Sequence, residues 1–301
     1  MAKKTANIPM NIKSILYKFK RVINKKESTY TGMRQNPKHS TMTHQELLRK
    51  VEWKDLKKLT FKEMLIENSL TIPWLLISIT LAYFGYYIFA LPFSAFFFLT
   101  GLRQVHNGFH NSLGTNKFLT WLTLYINSTL MLVSIHAVKF NHIRHHKYCL
   151  SEDDYEGKSA NMTWYGAILY GPIHIFLIHK ITWQLGNSKY RKNMLLELFS
   201  VAIFIGITFY FKIDFLIYHI IAMIIGEFLT AFFAVWTVHH DTQENPGYAR
   251  TQRSWWKNKL TYSMFYHLEH HLFPAVPTIK LSELAKRIDE ALPEIVKKNT
   301  F

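Results

Sequence analysis

The 301-residue chain has a single cysteine, Cys149. That excludes an intramolecular disulfide and any zinc or iron–sulfur site built on cysteine. A bound metal must therefore rest on histidine and carboxylates. Acidic residues are also few, 20 against 36 Lys and Arg. Over long stretches there is no charge at all: none between Glu67 and Arg103, none in residues 118–138, none in residues 159–179. The N-terminus, MAKKTANIPMNIKSILYKFKR, lacks an apolar core of signal-peptide length. It reads as a cytosolic tail with a short surface helix over residues 12–19. No internal repeat and no low-complexity tract is evident.

Aromatic residues, by contrast, are abundant at 16%, and the net charge is +16. The basic excess is uneven: residues 1–70 hold sixteen Lys and Arg against six Asp and Glu. Such charge can serve nucleic acid, but here it flanks apolar spans. The positive-inside rule and anionic lipid headgroups account for it better, so no nucleic-acid partner is expected.

The uncharged run after Glu67 is too long for one crossing of a bilayer about 30 Å thick. Leu91–Pro92 supplies a break. The pattern predicts two spans, residues 72–90 and 93–110, then a second pair, 193–211 and 215–238, around a polar turn at Lys212. Residues 1–70 read as a basic cytosolic region. Residues 279–296 place Leu281, Leu284, Ile288 and Leu292 at helical spacing and predict an amphipathic C-terminal helix.

Ten of the sixteen histidines fall in four clusters. His267, His270 and His271 spell HxxHH, and so do His142, His145 and His146. Positions i, i+3 and i+4 share one helix face, so each triad aims three imidazoles at one place. His106 and His110 are i, i+4, and His239 and His240 follow the last span. Neutral imidazole ligates iron, zinc and copper. Eight or nine such ligands are too many for one ion and fit two. His136, His174, His179 and His219 stand alone and read as ordinary buried histidines.

Topology follows from sharing. If residues 118–138 crossed the membrane, His106 and His110 would lie on the opposite side from His142–His146. The stretch is therefore expected to lie in or against the interface, as is 159–179, which Gly166, Gly171 and Pro172 interrupt. The expected fold is an all-α integral membrane protein. It has four transmembrane helices in two hairpins, interfacial helices, and a cytosolic helical cap carrying the histidine clusters. Asp153, Asp154, Glu156, Asp241 and Glu269 are near enough in sequence to orient the histidines. Glu227 stands inside the last span, where an acid is costly and usually has a role or a partner.

The set HNGFH (residues 106–110), HIRHH (142–146) and HLEHHLFP (267–274), between paired spans, resembles the membrane fatty acid desaturase superfamily over residues 72–288. The resemblance makes 71–301 a membrane desaturase domain. It implies a non-haem centre of two iron ions on the cytoplasmic face, with O2 as co-substrate and the box histidines as ligands. An extra ligand after the last span is matched by His239 or His240. It further implies two external electrons and removal of hydrogen from an unactivated C–H bond of a lipid or acyl substrate in the bilayer. The short HxxxH first box fixes neither substrate nor regiochemistry. The third box begins with His267 where front-end desaturases carry Gln, which disfavours that subclass. No HPGG-type motif occurs, so the electron donor is expected to be a separate ferredoxin, rubredoxin or cytochrome b5 type protein. The leading expectation is an acyl-lipid or acyl-CoA desaturase. A lipid or carotenoid hydroxylase or ketolase of the same superfamily is the alternative, and a zinc hydrolase or receptor the reading from another class.

Overall fold

In this computed structural model, residues 49–300 are described, apart from Glu244 and Val296. The expected surface helix at 12–19 lies outside the described residues. Within them the structure is helical, with one isolated parallel bridge between Thr251 and Asn299. Four helices are long and apolar enough to cross a membrane: Phe61–Tyr83, Tyr87–Phe109, Ser188–Tyr210 and Asp214–His239. Their outer surfaces are apolar too; Ile88 is 84% exposed and Tyr210 80%. In water that inversion would be unstable, whereas against lipid it is expected.

The first span comprises α1 (Phe61–Ser69) and α2 (Ile72–Tyr83). It starts eleven residues earlier than the expected 72 and ends before 90. A capping box opens it, with Thr60 and Glu63 satisfying each other's backbone N–H. The turn to α3 (Tyr87–Phe109) falls at Gly85, not at Leu91–Pro92. Gly85 has φ +78, a left-handed conformation that glycine adopts without steric cost. Pro92 sits inside α3, where its missing donor is tolerated within a packed bundle. Glu67, expected in the basic N-terminal region, is buried inside the first span and pairs with Arg103 of α3. The two charges that bound the uncharged run thus neutralise each other.

The stretch 118–138 forms α4 (Lys117–Met131) and α5 (Ile135–Tyr148), bent by 110°. Leu132 closes α4 at φ +63, and Ser134 caps α5 by accepting from Ala137 N–H. The stretch folds back instead of carrying the chain across. Helix α6 (Trp164–Leu185), capped by Thr163, follows and is not among the four spanning helices.

The second hairpin is α7 (Ser188–Tyr210) and α8 (Asp214–Thr230), turning at Lys212 with φ +51. Helix α8 runs on through a π-helical turn, Ala231–Trp236, to His239. Short helices α9 (Trp255–Leu260) and α10 (His267–Leu272) and the amphipathic α11 (Leu281–Ala291) build a cap. Helix α11 is shorter than the expected 279–296. Leu292 precedes Pro293, which disfavours α backbone, and has φ −141.

Two apolar clusters hold these parts. Phe97, Phe109, Leu124, Met131 and Met223 pack inside the bundle. Leu268, Leu272, Leu284 and Ile288 pack inside the cap, joined by Val51 and Leu56 from the N-terminal region. The histidine clusters stand where bundle and cap meet.

Candidate metal centre

Each cluster is delivered by local helix geometry. His106 lies in the last turn of α3 and His110 is its C-cap. His142, His145 and His146 share one face of α5. His239 ends the last span. In α10, Leu268 and Leu272 face the cap core while His267, His270 and His271 face the other way.

Nine of the ten candidate histidines converge in two groups. His106, His110, His142, His146 and His270 form one, and His145, His239, His267 and His271 the other. His240 is not brought in. Its ring stacks on Trp236 with centroids 3.9 Å apart, and its Nδ1 lies 2.8 Å from the Trp236 carbonyl oxygen. The choice between His239 and His240 left by the sequence therefore falls on His239.

Contacts within the groups run from Nε2 to Nε2. In the first, His142 lies 3.1 Å from His110 and 3.1 Å from His146, and His270 lies 2.9 Å from His146. In the second, His239 lies 3.0 Å from His145 and 2.9 Å from His267. Hydrogen bonds between neutral rings cannot account for the His145–His239 contact. The Tyr248 carbonyl, 2.7 Å from His239 Nδ1, can only accept, so that nitrogen carries the proton. His145 likewise donates from Nδ1 to Asp154 at 2.8 Å. In the neutral rings both facing Nε2 atoms then present lone pairs to each other. A metal ion between them resolves the conflict, as does a proton on His145, whose pairing with Asp154 favours the charged form. Metal–imidazole bonds of about 2.0–2.1 Å place neighbouring ligand nitrogens about 3.0 Å apart at right angles, and the observed spacings agree. Both ring nitrogens of His106 are buried without a partner, a further place for an ion. The donor sets therefore fit a pair of metal ions.

Burial, reinforced by the neighbouring imidazoles, holds His267, His270 and His271 well below the ordinary histidine range. They are kept neutral, the form that ligates. Of the five nearby acids, two orient ligands. Burial opposes the charge of Asp154, but hydrogen bonds from His145, Gly157 N–H and Leu150 N–H keep its carboxyl below the usual range. Glu156 lies 2.9 Å from His142 Nδ1, and burial pushes it up to about 8. Glu269 instead accepts from Thr251 and pairs with Arg253 at 2.6 Å. The Asp153 backbone carbonyl accepts from Arg144 of α5, and Arg250 lies 4.0 Å from the Asp241 carboxylate. Cys149 stands at the rim, its Sγ 3.9 Å from His145 Nε2 and 4.0 Å from His271 Nδ1.

The histidines open onto a cavity of about 650 Å³. His106, His142, His145, His239 and His267 form one end of its lining, and α3 and α8 carry its wall down to Leu91 and Ala222. The wall is nearly all apolar, with Phe98, Leu102, Ile175 and Ile225 among its residues. The isolated histidines divide. His136 bonds to Glu197 at 2.6 Å, His179 to the Ile175 carbonyl and His219 Nε2 to the Leu130 carbonyl, with His219 Nδ1 left without a partner. His174 lines the cavity. Nothing in the uncharged stretch around it distinguishes it by sequence.

A family model described as fatty acid desaturase matches residues 80–298. The chain belongs to the fatty acid desaturase family. No curated protein and no solved structure matches it. The match takes in both histidine groups, all of α3 to α11 and all of the cavity lining except Thr300. Within this family member, two residues missed by sequence reading fix the first box. Asn107 donates to Glu67 at 2.9 Å and accepts from Thr278, and Gln104 donates to the Asn68 carbonyl at 2.9 Å. Neither lies at a ligand spacing, so only the folded neighbourhood identifies them.

Proposed function

We propose that the protein is a membrane-bound, oxygen-dependent desaturase that introduces a C=C bond into the acyl chain of a lipid or acyl-CoA. The observation that carries this reading is the opening of two convergent imidazole groups onto one long apolar cavity. His106, His110, His142, His146 and His270 would hold one iron ion, and His145, His239, His267 and His271 the other. When bound, the iron pair supplies activation of O2 with two electrons from an external donor. The chain's own residues do the rest. Asp154 and Glu156 fix ring tautomers, and Tyr248 fixes His239 through its carbonyl. The apolar wall excludes water and holds two adjacent methylenes beside the histidines. The donor is a separate ferredoxin, rubredoxin or cytochrome b5 type protein. The histidine side faces the cytoplasm, as the excess of basic residues on that side supports.

Expression in a host of defined lipid composition, followed by fatty-acid profiling, tests the reading. Products two hydrogens lighter than their precursors are expected. Products one oxygen heavier would make the protein a hydroxylase or ketolase. Purified protein should hold about two irons per chain, from the ligand count and the preferences of imidazole. Full activity with zinc and no iron would overturn the assignment.

A further inference from the structure

Two buried polar groups in the cavity wall have no part in holding metal. Glu227 of α8 and His174 of α6 both line the cavity. They are 7% and 5% exposed. Glu227 Oε1 and His174 Nδ1 have no hydrogen-bond partner. Glu156 also has an unpartnered oxygen in this wall, but its other oxygen serves His142. His136 and His179 show what the fold does with other interior imidazoles: each has a partner placed for it, whereas His219 Nδ1, like His174 Nδ1, has none.

The helices that carry the pair are pressed together. A Cβ on Gly171 would fall 1.7 Å from the Phe228 carbonyl oxygen, so α6 and α8 touch backbone to backbone there. Glu227 is the neighbour of Phe228, and His174 is one turn along from Gly171. The wall around them is apolar, and Gly226 abuts the ring of Phe98. Phe98 lies eight residues before His106, about 12 Å along α3. Glu227 lies twelve residues before His239, about 18 Å along the last span. Glu227 is thus set well back along the last span from the metal-binding end.

A buried carboxyl or imidazole left unpaired is unfavourable, and acids inside spans are usually paired or functional. A plain hydrocarbon chain would leave both groups unpaired. An alcohol both donates and accepts, and a carbonyl accepts. A substrate anion would meet the carboxyl of Glu227 and is disfavoured.

We propose that Glu227 and His174 form a subsite for a neutral oxygen function, a hydroxyl or carbonyl, borne by the substrate chain remote from the carbon presented to the histidines. The proposal rests on the reading of the cavity as a substrate chamber. It makes the preferred substrate an oxygenated lipid chain, because a site built to hydrogen-bond rejects analogues that lack the partner.

The test uses the full-length, iron-loaded protein in lipid nanodiscs. The probes are n-octadecane and a positional series of its monohydroxy and monoketo derivatives. Equilibrium binding by competition and kcat/KM with a reducing system are both read. At least one oxygenated isomer should bind about tenfold or more tightly than plain octadecane, the scale of one satisfied buried polar group. In Glu227→Leu and His174→Leu the ratio should fall towards one, and Glu227→Gln, which keeps a donor and an acceptor, should restore part of it. A wild-type panel with no preferred isomer overturns the proposal even if the variants fail to fold. So does a preference that survives both leucine variants; the pair would then hold only water. If none of the probes binds, the chamber reading itself fails and this inference with it. Plain octadecane that binds and turns over as well as every oxygenated isomer leaves the chamber reading standing and sinks the subsite alone.

Discussion

Asn107 and Thr278, 171 residues apart, are tied by two hydrogen bonds: Asn107 Oδ1 accepts from Thr278 N–H at 3.1 Å and from its hydroxyl at 2.8 Å. The same amide donates to Glu67, which also holds Arg103. Arg103 in turn donates to the Tyr262 carbonyl at 2.7 Å. One buried polar chain therefore joins the first span, the first histidine box and the loop after the third. It fastens the cap to the bundle on the residue next to His106.

Asn107→Ala should remove three buried hydrogen bonds and leave Glu67 and Thr278 short of partners. A loss of about 1–3 kcal/mol is expected, with metal content falling because His106 loses its anchor. Thr278→Val should cost less, since the backbone N–H bond survives. Thermal unfolding and metal analysis of the two variants decide the point. Wild-type stability and full metal in Asn107→Ala would show that the chain of bonds holds nothing.

The adjacent pair His239 and His240 should behave oppositely. His239→Ala takes one of four imidazoles from its group and should abolish turnover and deplete metal. His240→Ala removes a ring stacked on Trp236, a loss of about 0.5–1.5 kcal/mol in stability, and should retain both metals and most turnover. Equal loss in the two would put His240 among the ligands.

Asp154→Asn should weaken metal binding by about 10–100-fold, the usual cost of losing the carboxylate behind a ligating histidine. Glu156→Gln should act on the other group through His142. Titration with a chelator, following each metal separately, should show one ion leaving early in each variant. Removing both ions should destabilise the fold, because lone pairs of facing imidazoles are then left opposed.

Arg253 meets Glu269 inside the third box and Asp289 on α11. Arg253→Leu leaves Glu269, which is fully buried, without its cation. A destabilisation of about 3 kcal/mol is expected, the lower end for a broken buried pair because Arg253 itself is partly exposed. The acid limb should change as well. A hydrogen bond from Arg253 is the first cause holding Asp289 below the usual carboxylate range. A lowered folded-state value stabilises above the unfolded pKa, about 3.9, and that stability is lost as pH falls through the folded one. Unfolding temperatures from pH 3 to 7 should therefore fall less steeply at the acid end in the variant.

The histidine boxes and the paired spans were legible because their signals are periodic or absolute: i, i+3, i+4 spacing, and runs with no charge. The fold-back of residues 118–138 was legible only through the requirement that His110 and His142 share one site, and the 3.1 Å between them bears that requirement out. Where the sequence misled, pairing across the fold had changed the meaning of a residue. Glu67 marks the end of a polar region until Arg103 is seen beside it. Leu91–Pro92 looks like the stronger break, yet the left-handed Gly85 makes the turn. His174 looks like any buried histidine until it proves to line the cavity.

The π-helical turn at Ala231–Trp236 resets the phase of the last span. An α-helix advances about 100° per residue. Twelve residues separate Glu227 from His239, so an unbroken α-helix would set their side chains about 120° apart. A π turn takes up one residue without advancing the ladder, which brings them to within about 20°. Both then look into the same chamber. The bulge sets the bearing of the acid independently of the height at which the histidine leaves the bundle, so two stretches of one helix are aimed separately into one cavity.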